Sequence, residues 1–132
     1  MKYLFIILLL SSLLSCDIKI PNISNTSDTS NSLVAKGTKI KGKASYYATK
    51  FNGKPTASGQ KFDNNLLTAA HKTFAFNTKV NVKNLKNNKS VIVIINDRLP
   101  KTSSRDIDLS QSAARALDMI KDGIAQVEIT IL

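Results

Sequence analysis

The sequence is poor in the residues that usually build disulfide frameworks, metal sites and aromatic cores. It has one cysteine, one histidine, no tryptophan and only 6% aromatic residues in 132. A single cysteine excludes an intramolecular disulfide framework. One histidine and scattered aspartates give no recognisable metal-ligand spacing, so we expect neither a metal nor another cofactor. The core must be mostly aliphatic, in a chain whose length is typical of one compact domain.

Acidic residues are also few, and this bounds the partners. Nine aspartates and glutamates stand against nineteen lysines and arginines, which gives a formal net charge of +10. Basic chains can bind nucleic acid, anionic lipid or acidic polymers. The lysines are spread along the chain without an arginine-rich block or an aromatic platform signature, so nucleic acid is not expected as a partner. Anionic lipid or cell-wall polymer is favoured, and a lysine-rich solvated surface explains the charge equally well.

The N-terminus resembles a bacterial lipoprotein signal peptide over residues 1–15. Lys2 supplies a positive charge, and the apolar run Tyr3–Leu10 is too short to span a bilayer comfortably. The letters LLSC, ending at Cys16, resemble a lipobox, in which cleavage exposes the cysteine for lipidation. An ordinary secretory signal ending near a free thiol is the alternative. We therefore expect a protein of the cell envelope, lipid-anchored through Cys16 to the inner or outer membrane and facing the periplasm.

Composition divides the rest of the chain into a tether and a domain. Residues 16–37 are dominated by Ser, Thr, Asn and Asp without any apolar period, which predicts a disordered tether behind the lipidated cysteine. Residues 38–132 carry the patterned segments and are expected to form the folded domain.

Short apolar segments in residues 38–132 predict strands and one helix. The run VIVII is apolar on both faces, which is typical of a central buried strand. Ser110 can cap a helix over QSAARALDMI, for which Gly123 is a plausible stop. The pattern predicts a small β-barrel or a compact α+β domain rather than a doubly wound sheet. The other predicted strands are KIKGKASYYA, KVNVKNL and AQVEITIL.

Asp97 is the sharpest candidate for chemistry. It closely follows the apolar run VIVII, so a carboxyl group is carried from a buried strand to a rim. Desolvation disfavours a carboxylate, so an acid half-withdrawn from water can hold a proton and donate it to a leaving oxygen. The alternative is that Asp97 only accepts backbone hydrogen bonds from the following turn.

The segment PTASGQKFDNNLLTAAH holds further polar groups. Its histidine, His71, could orient a carboxylate or contact substrate, or be a satisfied structural group. Ser58, Asp63 and His71 superficially assemble a hydrolase triad, but Ser58 lies in no nucleophile-elbow pattern.

Two arginines and two tyrosines outside this segment could have either a substrate-binding or a structural role. Arg98 and Arg105 could bind a ligand's polar groups or neutralise the aspartates of RDIDLS. Tyr46 and Tyr47 could stack on sugar faces, although strand alternation puts at least one of them in the core.

Four segments together resemble the rare lipoprotein A family. They are GKASYYATKFNGKPTASGQKFD, LTAAHKTFAFNTKVNVKNL, VIVIINDRLP and RDIDLSQSAARAL, and the likeness runs from about Lys41 to Leu132. The resemblance implies a mostly β fold, a six-stranded double-psi β-barrel with one or two short helices, in a monomeric envelope lipoprotein. It also implies an endolytic lytic transglycosylase that cleaves the bond between N-acetylmuramic acid and N-acetylglucosamine in peptidoglycan, preferring strands free of stem peptides.

The resemblance also implies roles for particular residues. Asp97 matches the position of the catalytic acid, with Asp63 and His71 as further catalytic candidates. One carboxyl group suffices because a transglycosylase uses the sugar's own primary hydroxyl as its nucleophile, so the second carboxylate of ordinary glycosidases is dispensable. The residues expected to bind substrate are Thr56, Ser58, Gln60, Arg98, Asp108 and Tyr47.

Two positions depart from the pattern of the family. The family usually has glutamate where this chain has Gln60, and an amide cannot transfer a proton at neutral pH. The alternative function is therefore a weak or inactive glycan-binding envelope lipoprotein. The family also usually has glycine where this chain has Leu99, and leucine would be strained there if the position needs a positive φ.

Overall fold

The computed structural model describes residues 34–132, so the predicted signal peptide, Cys16 and the tether up to residue 33 lie outside the described residues. The described part contains six strands, an α-helix and a 3₁₀ turn. The strands are β1 (Lys39–Tyr46), β2 (Thr68–His71), β3 (Lys79–Asn84), β4 (Ser90–Arg98), β5 (Ile107–Leu109) and β6 (Ala125–Ile131), the helix is α1 (Gln111–Ala116), and the 3₁₀ turn is Thr49–Phe51.

The six strands close into a barrel, which confirms that part of the sequence prediction. Their order around the barrel is β1-β5-β2-β4-β3-β6. β1 pairs with β5, and β2 with β4, in parallel, whereas the other four neighbouring pairs are antiparallel. Closure pairs both sides of every strand, so none of these aliphatic strands offers an unpaired edge to another chain.

Strand alternation fills the barrel with aliphatic side chains. Val80 and Val82 of β3 are fully buried, as are Val127 and Ile129 of β6, while the residues between them are more exposed. Each such side chain contributes roughly 1.5–3 kcal/mol relative to leaving it in water. The alternation predicted for these two segments is confirmed.

The strand that contains VIVII differs from its prediction. Val93 and Ile95 are fully buried, but Ile92 is 52% exposed and Ile94 is 39% exposed. The reason is that a closed barrel has one interior, and the outer face of β4 is not covered there by another layer. β4 is thus a half-buried strand with an apolar outer face, not a strand buried on both sides.

The helix begins where the sequence predicts and ends earlier. Ser110 caps it, because the Ser110 side chain accepts a hydrogen bond from the Ala113 N–H. The helix stops at Ala116, and Asp118 adopts a positive φ of 52°, which reverses the chain well before Gly123. Among residues 34–132, no helix is long and apolar enough to cross a membrane.

Candidate active site

A β-bulge in β4 decides where Asp97 points. Ala69 is paired with Ile95 and Ala70 with Asp97, so Asn96 is an extra residue on the β4 side. Ile95 faces the core, and regular alternation would turn Asp97 inward as well. The extra residue reverses this orientation. The side chain of Asp97 therefore lies on the outer face of the barrel, together with that of Ala70. Bulges commonly redirect a side chain beside an active site in this way.

Asp97 belongs to a row of residues across four neighbouring strands. Ser45 of β1 is paired with Asp108 of β5, Asp108 with Ala70 of β2, and Ala70 with Asp97 of β4. Directly paired residues point to the same face of a sheet. The row therefore presents two carboxyl groups on the outer face, with Cα atoms roughly 9–10 Å apart and only the methyl group of Ala70 between them.

Three donors hold the half-buried carboxylate of Asp97. Its Oδ1 accepts hydrogen bonds from the Ala57 N–H and the Arg98 N–H, both at 2.8 Å. Its Oδ2 accepts a hydrogen bond from the Tyr47 hydroxyl. Each carboxylate oxygen has about two acceptor positions. Among residues 34–132, Oδ1 is therefore filled, whereas Oδ2 accepts only the Tyr47 hydroxyl and has one position left for another group.

Tyr47 can only donate in this arrangement. Burial, with the neighbouring carboxylate of Asp97, raises the pKa of Tyr47 far above its ordinary value, so the hydroxyl keeps its proton. The ring lies 4.3 Å from the ring of Phe62 between centroids and edge-on to Phe51 at 5.8 Å. As alternation predicts, one of the paired tyrosines, Tyr46, packs against the core. Tyr47 lies on the Asp97 side, where its hydroxyl contacts the carboxylate.

A tight turn carries three of the six predicted substrate-binding residues, Thr56, Ser58 and Gln60. The Thr56 N–H and the Thr56 hydroxyl both donate to the carbonyl of Gln60 at 2.8 Å. Gly59 closes the turn with a φ of +87°, a conformation that favours glycine. Ser58 pairs its hydroxyl with that of Thr56 at 2.9 Å. The two hydroxyl groups thus stabilise the turn.

The same turn is fastened to the bulge. The Ser58 N–H donates to the carbonyl of Asn96 at 3.3 Å, and the Asn96 side-chain amide donates to Oε1 of Gln60 at 3.4 Å. These contacts position the Ala57 N–H against Asp97. Sequence reasoning did not identify Asn96 or Ala57, because one acts through an extra residue in a ladder and the other through its backbone.

Gln60 also borders a pocket on the outer face. The pocket has a volume of about 490 Å³. Its walls combine side-chain amides with aliphatic groups and contain no charged residue. The lining residues are Gln60, Asn65, Leu66, Leu67, Thr68, Asn77 and Ile94.

His71, at the end of β2, is a neutral histidine whose ring is held by hydrogen bonds to the backbone. Its Nδ1 accepts hydrogen bonds from the N–H groups of Thr73 at 3.2 Å and Phe74 at 3.1 Å, and its ring stacks on Phe74 at 3.6 Å. Burial, with the positive charge of Arg98, lowers the pKa of His71 to about 4. The ring proton must therefore reside on Nε2. Alternation puts the His71 side chain on the face of β2 opposite to Ala70.

Asp63 lies in a turn and does not complete a triad. Its Oδ1 accepts a hydrogen bond from the Asn65 N–H at 2.8 Å, which closes an Asx turn. Across residues 34–132, Ser58, Asp63 and His71 make no hydrogen bonds with one another. In the same part of the chain, no group of three His, Cys, Asp or Glu side chains could hold a metal ion.

The guanidinium of Arg98 is engaged by the fold. It donates to the carbonyls of His71 at 3.1 Å and Phe74 at 2.6 Å, and it lies over the ring of Phe76 at 4.3 Å. These contacts hold the segment after β2 against the end of β4. The substrate-binding role of Arg98 stays a prediction.

Asp108 is neutralised by its neighbours. It is buried, accepts a hydrogen bond from the Ser45 hydroxyl, and lies 3.4 Å from Nη1 of Arg105. Asp106 pairs instead with Lys72, also at 3.4 Å. Arg105 therefore forms an ion pair with Asp108, as expected from the interpretation in which it neutralises an aspartate of RDIDLS.

Leu99 is accommodated without backbone strain. It is buried, and the non-glycine residues with positive φ among residues 34–132 are Asn77, Asn88 and Asp118. The position after Arg98 does not require a glycine conformation in this chain.

This chain is similar to proteins of a known family. The family model described as "Lytic transglycolase" matches residues 39–129. A protein of Treponema pallidum named "Probable endolytic peptidoglycan transglycosylase RlpA" is 58% identical over 88 residues, which are 67% of this chain and 28% of that protein. The "Endolytic peptidoglycan transglycosylase RlpA" of Pasteurella multocida is 48% identical over 104 residues, 79% of this chain and 35% of that protein. This chain thus spans about a third of the length of these relatives.

Solved structures share the fold at low sequence identity. Streptomyces papain inhibitor has a TM-score of 0.61 and 22% identity over 74% of this chain and 96% of its own. A mutant expansin of Clavibacter michiganensis in complex with cellohexaose has a TM-score of 0.58 and 19% identity over 72% of this chain and 50% of its own. With the family match, these likenesses confirm the predicted double-psi β-barrel.

Proposed function

The chain belongs to the lytic transglycolase family, and from that membership we propose that it is an endolytic transglycosylase of peptidoglycan glycan strands. Its curated relatives carry the name RlpA, in agreement with the resemblance drawn from the sequence motifs. The activity that the names of these relatives state and the position of Asp97 together support the proposal.

The mechanism assigns both proton transfers to Asp97. Protonated Asp97 donates its proton to the oxygen that joins C1 of N-acetylmuramic acid to C4 of N-acetylglucosamine. The bond between C1 and this oxygen breaks, and the oxygen leaves with the glucosamine. The resulting carboxylate takes the proton of the muramic acid C6 hydroxyl while the hydroxyl oxygen bonds to C1. The products are a 1,6-anhydromuramic end and a glucosamine end with a free C4 hydroxyl. The acid is regenerated, so no water is consumed.

The free acceptor position on Oδ2 of Asp97 is the observation that carries this mechanism. Both Oδ1 positions are occupied by backbone N–H groups, so a proton can be exchanged with substrate only at Oδ2. Asp108, the other carboxylate of the row, is buried, and its Oδ1 accepts a hydrogen bond from the Ser45 hydroxyl and lies 3.4 Å from Nη1 of Arg105. One reacting carboxyl group is enough for a transglycosylase, whereas an ordinary glycoside hydrolase needs a second carboxylate.

Asp97→Asn tests the proposal directly. The purified full chain is incubated with peptide-free glycan strands, and 1,6-anhydromuramic ends are detected by mass spectrometry. We expect such ends from the unchanged chain and a loss of at least a hundredfold in Asp97→Asn. Asp122→Asn is the matched control, because Asp122 forms a surface ion pair with Lys86 at 2.9 Å. Equal product from Asp97→Asn and Asp122→Asn would exclude Asp97 as the acid.

A glycan-binding protein without turnover is the second candidate function. Gln60 favours it, since this amide borders the pocket beside Asn96 where the family usually has a carboxylic acid. That function predicts that the unchanged chain and Asp97→Asn both retain glycan while neither yields anhydromuramic ends.

We also propose that lipidation of Cys16 anchors the protein in the cell envelope. Support comes from the lipobox-like LLSC and from the single cysteine of the sequence, which has no second cysteine with which to form an intramolecular disulfide. Mass spectrometry of the mature N-terminus should find an acylated residue 16, and Cys16→Ser should release the protein from membranes. Membrane retention of Cys16→Ser with an unmodified N-terminus would contradict the anchor.

A further inference from the structure

An exposed aromatic ring stands beside the candidate active site. Phe51, at the end of the 3₁₀ turn, is 38% exposed, although it belongs to a cluster with Tyr47. The edge-on contact of 5.8 Å between the two rings fixes Phe51 relative to the tyrosine that donates to Asp97. The part of the ring that faces solvent is therefore held at a defined place near the acid.

Two lysines bring positive charge to the same ring. Nζ of Lys50 lies 5.3 Å from the ring centroid of Phe51, and Nζ of Lys54 lies 5.7 Å from it. Both lysines are exposed, and within residues 34–132 neither ammonium group is in an ion pair with a carboxylate. Two cations that share one ring repel each other, so an anion placed between them is favoured.

We propose that Lys50, Phe51 and Lys54 form a subsite for a sugar that carries a free carboxylate, the lactyl carboxylate of peptide-free muramic acid. The apolar face of a sugar ring packs on Phe51, and its carboxylate lies between the two ammonium groups. When a stem peptide is attached, the lactyl carboxylate becomes an amide and this charge interaction is lost. The inference rests on the proposed function and predicts a preference for peptide-free strands that these three residues produce.

The position of the subsite fits a strand that also reaches Asp97. The contacts run from Phe51 to Tyr47 and from the Tyr47 hydroxyl to Oδ2 of Asp97. Phe51 is therefore two contacts away from the acid, and we place a muramic acid at Phe51 and the scissile bond at Asp97 on one strand. The pocket bordered by Gln60 lies near the bulge, because Oε1 of Gln60 accepts a hydrogen bond from the side-chain amide of Asn96.

The test measures binding separately from cleavage. The experiment uses the full chain with Asp97→Asn, which should bind glycan without cleaving it. Calorimetry measures the dissociation constants of peptide-free glycan oligosaccharides and of chitin oligosaccharides of equal length. Chitin oligosaccharides have the same backbone without the lactyl carboxylate. We expect the carboxylated ligand to bind about tenfold more tightly, and Lys50→Gln with Lys54→Gln to abolish that difference. Phe51→Leu should weaken both ligands to a similar extent.

Controls separate a subsite from general electrostatic attraction. Lys36→Gln with Lys41→Gln makes the same change of charge at exposed positions before and early in β1, the end of the strand opposite to Tyr47. This pair should leave the preference unchanged. An equal loss in both lysine pairs would overturn the proposal, as would tight binding of polyphosphate that is insensitive to Phe51→Leu. A chain that never cleaves glycan but shows the expected binding differences would retain the subsite and refute only the enzymatic function.

Discussion

Asp97 is paired with Ala70, although Ile95, two residues earlier in β4, is paired with the adjacent Ala69. The extra residue between them, Asn96, turns the carboxylate from the interior to the outer face of the barrel. There Tyr47 and Ala57 donate hydrogen bonds to it. The reactive position of this chain is thus created by the backbone register as much as by the side chain.

Removing the hydroxyl of Tyr47 should slow catalysis more than it destabilises the fold. Tyr47→Phe keeps the ring against Phe62 but deletes the hydrogen bond to Oδ2 of Asp97. Hydrogen bonds to charged groups are worth about 1.5–3 kcal/mol, so we expect kcat on peptide-free glycan to fall roughly tenfold to a hundredfold. The pH profile of kcat should shift as well, because a donor to the reacting carboxylate has been removed.

Tyr46→Phe is the matched control for that prediction. It also deletes a tyrosine hydroxyl that donates a hydrogen bond, here to the carbonyl of Ile120 at 2.9 Å. We expect it to lower the free energy of unfolding by about 1 kcal/mol and to leave the pH profile of kcat unchanged. A pH profile of Tyr47→Phe that matches the unchanged chain would show that Tyr47 has a structural role only.

His71 should make the protein less stable in mild acid. Its pKa is lowered from 6.5 to about 4 in the folded state, so below pH 6.5 the unfolded chain binds a proton that the folded chain does not. The stability due to neutral His71 is complete above pH 6.5 and is lost as pH falls to about 4. The expected loss is about 2–3 kcal/mol over this range.

Urea unfolding between pH 7.5 and 4 measures this dependence. His71→Asn is the informative variant, because its Oδ1 can accept the hydrogen bonds of Thr73 and Phe74 without titrating. The difference in unfolding free energy between the two proteins should shrink as pH falls. Parallel curves would contradict the assignment of the acid sensitivity to His71, since Asp106, whose pKa is lowered by the Lys43 N–H, is common to both proteins.

Sequence patterns predicted the features that depend on side-chain periodicity. Val80 and Val82 alternate with polar residues, and their burial follows from that alternation. Ser110 precedes a helical pattern and caps it. The outer face of β4 was predicted wrongly because Ile92 and Ile94 are apolar, and apolar side chains conceal which face of a strand meets solvent.

The parts of the site that escaped prediction depend on backbone geometry. Asn96 redirects Asp97 by its presence in the ladder, and Ala57 contributes an N–H that any residue could supply. The pairing of Asp108 with Ala70, and of Ala70 with Asp97, joins segments distant in sequence. These features follow from the closure of the barrel, which a single sequence encodes without a local pattern.

Gln60→Glu should increase turnover of peptide-free glycan. The contact with the Asn96 side-chain amide can be kept, because a carboxylate oxygen accepts that hydrogen bond as the amide oxygen does. The new carboxyl group would lie beside Asn96, the residue before Asp97, and could exchange protons there, so we expect a gain of roughly tenfold or more in the rate of anhydromuramic end formation.

Gln126→Glu makes the same substitution at an exposed position of β6 and should leave that rate unchanged. An unchanged rate in Gln60→Glu would show that Asp97 suffices and that the amide does not limit this enzyme.

Gly42 should be intolerant of even one methyl group. A Cβ atom there would lie 2.8 Å from Oδ2 and 2.9 Å from Cβ of Asp106. Oδ2 of Asp106 accepts a hydrogen bond from the Lys43 N–H at 2.8 Å, so the side chain cannot withdraw without losing that bond. We expect Gly42→Ala to lower the free energy of unfolding by about 1–3 kcal/mol, measured by urea denaturation.

A double-mutant cycle with Asp106→Gly identifies the cause of that loss. With the whole side chain removed, including the Cβ atom at 2.9 Å, the added methyl group has space, and alanine in a strand is favoured over glycine by roughly 0.5–1 kcal/mol. The cost of Gly42→Ala should therefore vanish or reverse in the Asp106→Gly background, with a coupling of about 1–3 kcal/mol. Additive effects would place the strain elsewhere, and a stabilising Gly42→Ala in the unchanged chain would contradict the close approach of Asp106 to β1.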